Sequence, residues 1–310
     1  MPLAAHVRTL GRGPGRARSL TRDEAFEAMR LMLRDDTAPE AIGAVLMLLR
    51  MKGETADEIA GLAAAAQAGM PDMPRVDLDW PSYAAGRTRG APWFLLSARL
   101  VSDAGHRVLL HGWNGADASV RSGLHDAGIA TATTPDQVSD VLDRDGIAYM
   151  PLERSHPALF DLLNLRQVLG LRSCVNTVCR MLNPGNAPAS VQGVFHPSYR
   201  LLQADAAAQL GWQSLTVIKG GGGEFERHPA KDIAAFGLRA GAPWDAQFTA
   251  VRSETRRLAA DGSAGLTAPT PFETDVITGT AALALDTLGV PDSADAAQRL
   301  WDARKAARAA

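Results

Sequence analysis

The sequence predicts a two-part fold of class α + α/β: a small N-terminal helical bundle, then a larger domain with a mostly parallel sheet flanked by helices. Three observations predict it. Residues 20–70 carry three capped amphipathic patterns joined by short loops. Beyond residue 93, short apolar runs of strand type alternate with helical patterns, the signature of a parallel sheet covered by helices. Between the two lies a stretch rich in proline and glycine, "MPDMPRVDLDWPSYAAGRTRGAP", without periodicity. It reads as a linker followed by a loop. The boundaries are 1–72 for the helical part and 73–310 for the α/β part.

The elements follow in order. "LTRDEAFEAMRLMLRDD" opens with Thr21 as N-cap and Glu24 as its capping-box partner. "APEAIGAVLMLLRMKG" has Pro39 in its first turn and Gly53 at its close, and "TADEIAGLAAAAQAG" repeats the capping box with Thr55 and Glu58. "FLLSARLVSDAG" predicts a helix, "HRVLLHG" a buried strand, "RSGLHDAGI" a helix ending near Gly128 and "PDQVSDVLDRDG" another. "IAYMP" and "VQGVF" are strands, "YRLLQADAAAQLG" a helix and "SLTVIKG" a strand. The segment "HPALFDLLNLRQVLGLRSCVNTVCRMLNP" is purely helical and unusually long, so it docks elsewhere than on the sheet.

A chain of 310 residues, 46% hydrophobic and 21% charged, has enough material for a substantial core. No apolar run approaches a membrane span and no secretory leader pattern opens the chain, so the expected location is cytoplasmic, away from membranes. Cys174 and Cys179 have the spacing of neither a zinc knuckle nor a redox pair and read as two buried thiols. The net charge is −2, yet residues 1–22 hold Arg8, Arg12, Arg16, Arg18 and Arg22 and no acid, which leaves −7 for the rest. A basic arm on an acidic body suggests an anionic partner, and a solvated, partly disordered terminus is the plain alternative.

Two loops leave strands with compositions suited to anions. "HGWNGADASVRSG" precedes a helix, and its glycines would let backbone N–H groups face a phosphate, with His111, Gly112, Asn114, Ser119 and Arg121 as candidate ligands. It matches neither the GxGxxG nor the P-loop pattern, so a surface turn stands beside that reading. In "KGGGGEFER", Lys219, Gly221 and Gly222 are candidate phosphate ligands, and Glu224 and Glu226 are suited to magnesium; a flexible connection is the alternative. In the long helical segment His156, Arg166, Arg172 and Asn176 interrupt the leucines. Arginine there serves either carboxylate or phosphate recognition or a structural ion pair.

Together these segments resemble glycosyltransferase family 3, the group of anthranilate phosphoribosyltransferase and pyrimidine nucleoside phosphorylases. "LTRDEAFEAMRLMLRDDTAPEAIGAVLMLLRMKGET" looks like the family's helical domain, "HGWNGADASVRSG" occupies the place of its "KHGN" loop, and the His156–Pro184 segment is similar to its "HPAM…" segment. The resemblance implies that the helices of about 157–182 join the N-terminal bundle in space, with a donor site between the domains and an acceptor side at His156, Arg166 and Asn176, Arg166 matching an arginine associated with the anthranilate carboxylate. It also shows departures. The family's "GTGGDG" pyrophosphate loop is replaced by "LDWPSYAAGRTRG" with Arg87 and Arg89, its lysine by Leu110, and one acid of its metal pair by Phe225, leaving Glu226.

The opening "LGRGPGRARSLTR", the "LRMKGE" end of the second helix and the missing glycine loop resemble the YbiB-type, TrpD-like branch. That resemblance implies a non-catalytic homodimer, paired through the helical domain, that binds single-stranded DNA or RNA with little sequence preference. The expected contacts are Arg8, Arg12, Arg16, Arg18, Arg87 and Arg89, with Trp80, Trp93 or Trp113 as stacking platforms or else as core residues. No cofactor is expected on this reading. The alternative is a phosphoribosyltransferase with an altered donor or acceptor, which would need magnesium.

Overall fold

The computed structural model describes residues 2–13, 15–84, 90–254 and 266–309. Its helical part is built from α1 (Ala4–Gly11), α2 (Arg22–Met32), α3 (Pro39–Lys52) and α4 (Ala56–Ala68). Both expected capping boxes form, Thr21 with Glu24 and Thr55 with Glu58, and Gly53 closes α3 at a φ of +83°. Helices α2 and α4 cross at Gly61, where a Cβ would stand 2.1 Å from the Arg22 carbonyl oxygen. Glu58 is fully buried yet satisfied: it accepts from Leu20 N at 2.8 Å and from Lys52 Nζ at 2.8 Å.

Helix α1 corrects the reading of the N-terminus as a bare basic arm. Leu3, His6 and Leu10 are buried, at helical spacing, and Gly11 packs on Leu48 of α3. Arg8, Arg12 and Arg16 remain exposed. Arg18 is engaged, holding both carboxylate oxygens of Glu24 at 2.6 Å.

The other part is an eight-stranded sheet of order β3-β4-β2-β1-β5-β6-β7-β8. Strands β1 (Leu78–Ser82), β2 (Val108–Gly112), β3 (Ala130–Thr131), β4 (Ile147–Pro151), β5 (Ala189–Val194) and β6 (Ser214–Lys219) run parallel. The antiparallel hairpin β7 (Ile233–Arg239) and β8 (Ala242–Phe248) completes the edge. Connections run through α5 (Phe94–Asp103), α6 (Ser119–Ala127), α7 (Pro135–Asp145), α8 (Leu152–Ser155), α9 (Pro157–Asn164), α10 (Arg166–Leu169), α11 (Val175–Arg180) and α12 (Tyr199–Gln209). Two long helices, α13 (Pro271–Thr287) and α14 (Ser293–Ala309), close the chain.

Two expectations need correction. Residues 78–82 belong to no linker: "LDWPS" is β1, wholly buried at the centre of the sheet. Pro81 hid it, because proline normally argues against a central strand. The 157–182 segment is three short helices rather than one long helical run, turning at Leu165 and at Gly170, whose φ is +70°.

Strand alternation sorts the core. On β6, Leu215 and Val217 face one layer with α4, α12 and the short helices, so Leu159, Leu162, Val175 and Leu182 share a core with the helical bundle. Ile218 faces the opposite layer, packed with α5, α13 and α14.

Candidate anion-binding cleft

The chain leaves β1 toward β2 on one side, whereas β5 pairs with β1 on the other and leads to β6. The carboxyl ends of β1, β2 and β5 therefore form a topological switch point, where open α/β sheets bind their ligands. Glycine lets the backbones close there. A Cβ on Gly112 would lie 2.0 Å from the Ser82 carbonyl oxygen, and one on Gly193 2.0 Å from the Glu224 carbonyl carbon. The glycine run forms a short 3₁₀ turn, Gly221–Gly223, with Gly222 and Gly223 at positive φ. That turn delivers Glu224 to the switch point, where its Oε1 accepts from Ser82 Oγ and Ala84 N at 3.0 Å and from Asn114 Nδ2 at 3.1 Å.

Beneath this lies a buried polar chain that sequence reasoning missed apart from His111. His111 Nε2 is 3.0 Å from Asp79 Oδ1, Ser190 Oγ donates to Asp79 Oδ2 at 2.7 Å, and Tyr83 Oη is 2.8 Å from His111 Nδ1. The Nε2–H tautomer satisfies every group: the imidazole donates to the carboxylate and accepts from the phenol. Burial raises the Tyr83 pKa well above the usual range, so the phenol remains a donor.

The helical segment and the sheet enclose two adjoining cavities. One, of about 300 Å³, lies between the Trp113–Ala116 loop and Arg166, Arg172 and Asn176. The second, of about 240 Å³, shares those three residues and adds Arg50, Arg180 and His196. No aspartate or glutamate stands among its described lining residues. Arg50 Nη1 donates to the Arg172 carbonyl at 2.7 Å. Burial and the neighbouring charges of Arg166 and Arg50 lower the Arg172 pKa, the response of a cation crowded by cations. Arg180, 7% exposed, donates from Nε to the Gly193 carbonyl at 3.0 Å and also holds Asn176. Asn176 in turn donates to the Tyr83 carbonyl at 3.2 Å, linking this wall to the switch point. Phe195, 58% exposed, lines the same cavity. Arg50, Arg180, Phe195 and His196 were not singled out from the sequence. The available signal was "FHPSY" directly after β5, where switch-point residues belong.

The other expected site residues do not all converge. Arg121 is drawn away by Glu153, at 2.5 Å, and stacks over Trp113 at 5.0 Å. Three N–H groups of its loop are used internally: Trp113 N bonds Ser82 O, Asp117 N bonds Asn114 O, and Ser119 N bonds Asp117 Oδ1. The loop is therefore not a free anion cradle. Lys219 ends β6 exposed to solvent. His156 is a buried helix cap, its Nδ1 accepting from Leu159 N and its Nε2 lying 3.1 Å from the Ala66 carbonyl. Trp80 and Trp93 are core residues, not platforms; Trp80 meets Phe225 edge-on at 5.5 Å. Leu110 is fully buried in β2. Arg87 and Arg89 lie outside the described residues.

The metal-site expectation is weakly furnished. Phe225 fills the core, and Glu226, also buried, accepts from Phe94 N at 3.1 Å. Glu224 is ringed by donors, which compete with a cation for the same oxygen. Among the described residues no group of three or more His, Cys, Asp or Glu is placed to hold a metal ion. None of their helices is long and apolar enough to cross a membrane. Both cysteines are buried free thiols whose pKa burial raises.

A helical bundle set against a mostly parallel sheet, with an arginine-walled cleft at the switch point, defines a transferase-like scaffold of two domains. Residues 6–69 match the glycosyl transferase family helical bundle domain and residues 95–254 match its a/b domain, and the chain belongs to this family. It is 31% identical over 217 residues to anthranilate phosphoribosyltransferase 1 of Ralstonia nicotianae, covering 67% of this chain and 63% of the relative. It is 32% identical over 206 residues to the anthranilate phosphoribosyltransferase of Stenotrophomonas maltophilia, covering 64% and 60%. The chain thus spans somewhat under two thirds of the length of these curated relatives. Among solved structures, anthranilate phosphoribosyltransferase from Thermus thermophilus has a TM-score of 0.80 at 21% identity, over 95% of this chain and 94% of that one. The Saccharomyces cerevisiae enzyme in complex with PRPP and Mg has a TM-score of 0.73 at 16% identity, over 96% and 92%. These likenesses establish the fold.

Proposed function

We propose that this chain is a non-catalytic, sequence-tolerant binder of single-stranded nucleic acid that acts as a cytoplasmic homodimer on a transferase scaffold. One observation carries the reading: Arg50, Arg166, Arg172, Arg180 and His196 wall one cavity with no described carboxylate, beside the exposed ring of Phe195. Cations that track a backbone next to an aromatic face are what single strands require. Exposed Arg8, Arg12 and Arg16 on the bundle extend the cationic surface. The donor side supports absence of catalysis, since Arg121 is held by Glu153 and Phe225 lies in the core. Exposed Met51 and Val168, on the bundle and on α10, are suited to a dimer contact.

Fluorescence anisotropy with long and short single strands at several salt concentrations tests this. For single strands the slope of log K on log salt is about −0.7 per phosphate neutralised. Changing Arg50, Arg166 and Arg172 together to serine should therefore flatten the slope by about 2. Absence of binding by the intact protein at low salt would sink the reading.

A second reading, a phosphoribosyltransferase with an altered donor or acceptor, is favoured by the identity to named anthranilate phosphoribosyltransferases. On it, Glu224 and Glu226 would hold magnesium. Lost transition-state donors typically cost about 10²–10³ each in rate. Protein supplied with Mg²⁺, phosphoribosyl pyrophosphate and anthranilate is expected to show no decay of anthranilate fluorescence. Turnover near one per second, as an order-of-magnitude mark for a working enzyme, would decide for this second reading.

A further inference from the structure

A cavity of about 560 Å³ lies between the start of α13 and the end of α14. These helices pack on the α5 face of the sheet, opposite the layer shared with the bundle. Its wall is unusually rich in donors. Arg252, Arg304 and Lys305 contribute three cations. Asp275, the one acid among the described lining residues, is held by Arg252, which also donates to the Pro271 carbonyl at 3.1 Å. Arg304 reaches Asp103 at 3.4 Å. Lys305 is exposed and has no acidic partner among the described residues. The positive end of α13, a helix of 17 residues, faces the same space.

A second, independent observation concerns Trp301. This residue lines the cavity, is 4% exposed, and its Nε1–H has no acceptor among the described residues. A buried indole N–H without a partner costs the desolvation of that donor, so such groups are normally matched by a protein, water or ligand oxygen. Pro269, Pro271 and the indole give the remaining surface an apolar, flat-sided character. A cavity of this size suits a small organic molecule rather than a bare ion.

We propose that this cavity is a binding site for a small organic phosphate ester. The phosphate lies toward Lys305 and Arg304, the Trp301 N–H donates to one of the ligand's oxygens, and the ligand's ring packs on the prolines. The site is separate from the interdomain cleft and does not depend on what the cleft binds.

The indole resonances of ¹⁵N-labelled full chain provide the readout, with Trp301 assigned by its loss in Trp301→Phe. The probes are adenosine 5′-monophosphate, ribose 5-phosphate and uncharged adenosine. The expected result is a saturable shift of the Trp301 signal by one or both phosphate esters, with adenosine at least tenfold weaker. Lys305→Glu, an exposed change that leaves the core intact, should weaken binding at least tenfold, and Arg166→Ser in the cleft should leave it unchanged. A shift by adenosine equal to that by its phosphate, an unaltered affinity in Lys305→Glu, or no Trp301 shift with any probe at millimolar concentration would overturn the proposal.

Discussion

The Tyr83 hydroxyl lies 2.8 Å from Nδ1 of His111. The other ring nitrogen of that imidazole meets Asp79, which also accepts from Ser190, so β1, β2 and β5 are tied by one buried chain. His111→Ala removes one of the two partners of Asp79, which is 1% exposed, and leaves its Oδ1 unmatched. Leaving a buried polar group without a hydrogen-bond partner costs about 1–3 kcal/mol, and more for a charged one. Tyr83→Phe deletes only a neutral donor and should cost about 1–2 kcal/mol. Urea unfolding of both single variants and the double variant measures the coupling. Equal, small losses would show that the chain is not cooperative.

Gly193→Ala places a methyl group 2.0 Å from the backbone carbonyl carbon of Glu224. No side-chain rotation relieves that contact, so the Glu224 turn must move away from β5. The expected loss is about 1–3 kcal/mol or more, the range for forced overpacking. The hydrogen bonds of Glu224 to Ser82 and Asn114 should weaken with it, visible as faster amide exchange at Ala84. A wild-type melting temperature in this variant would contradict the close approach.

The N-terminal segment should separate into charge and packing effects. Deleting residues 1–19 removes buried Leu3 and Leu10, each worth about 1.5–3 kcal/mol of burial. Changing exposed Arg8, Arg12 and Arg16 to glutamine should alter stability by about 0.5 kcal/mol or less. Thermal melts of the two proteins at matched ionic strength check the contrast. Only the glutamine variant is a clean probe of nucleic-acid binding.

Acidification should weaken the helical bundle in two steps. Burial lowers the pKa of His6 and of His156 below 6.5. The unfolded chain therefore binds more protons below that value, and stability falls as pH drops from about 6.5 toward the lowered folded values. Glu24, drawn down to about 2 by Arg18, adds stability above its ordinary 4.5 that is lost as pH falls from there toward about 2. Because Arg18 is exposed to solvent, screening keeps the share of this pair small. His156→Gln should remove part of the first step and none of the second in a pH series of denaturant midpoints.

The sequence by itself determined the local elements. Thr21–Glu24 and Thr55–Glu58 announced their helices because a capping box is satisfied within four residues. The parallel strands were legible as continuous apolar runs bounded by glycine, and the family resemblance carried the topology. Only the tertiary structure decided which polar residues meet. Pro81 disguised β1, whose strand character comes from β2 and β5 on either side rather than from its own propensity. Arg121, an apparent phosphate ligand by position, turns to Glu153, thirty-two residues away, because a nearby carboxylate outcompetes solvent for it. Arg50 reaches Arg172 across 122 residues of sequence, a juxtaposition no periodicity encodes. Caps and patterns are short-range and written in neighbouring residues. A cleft is made where chain segments distant in sequence converge, and its charge is set by which partners the fold brings within reach.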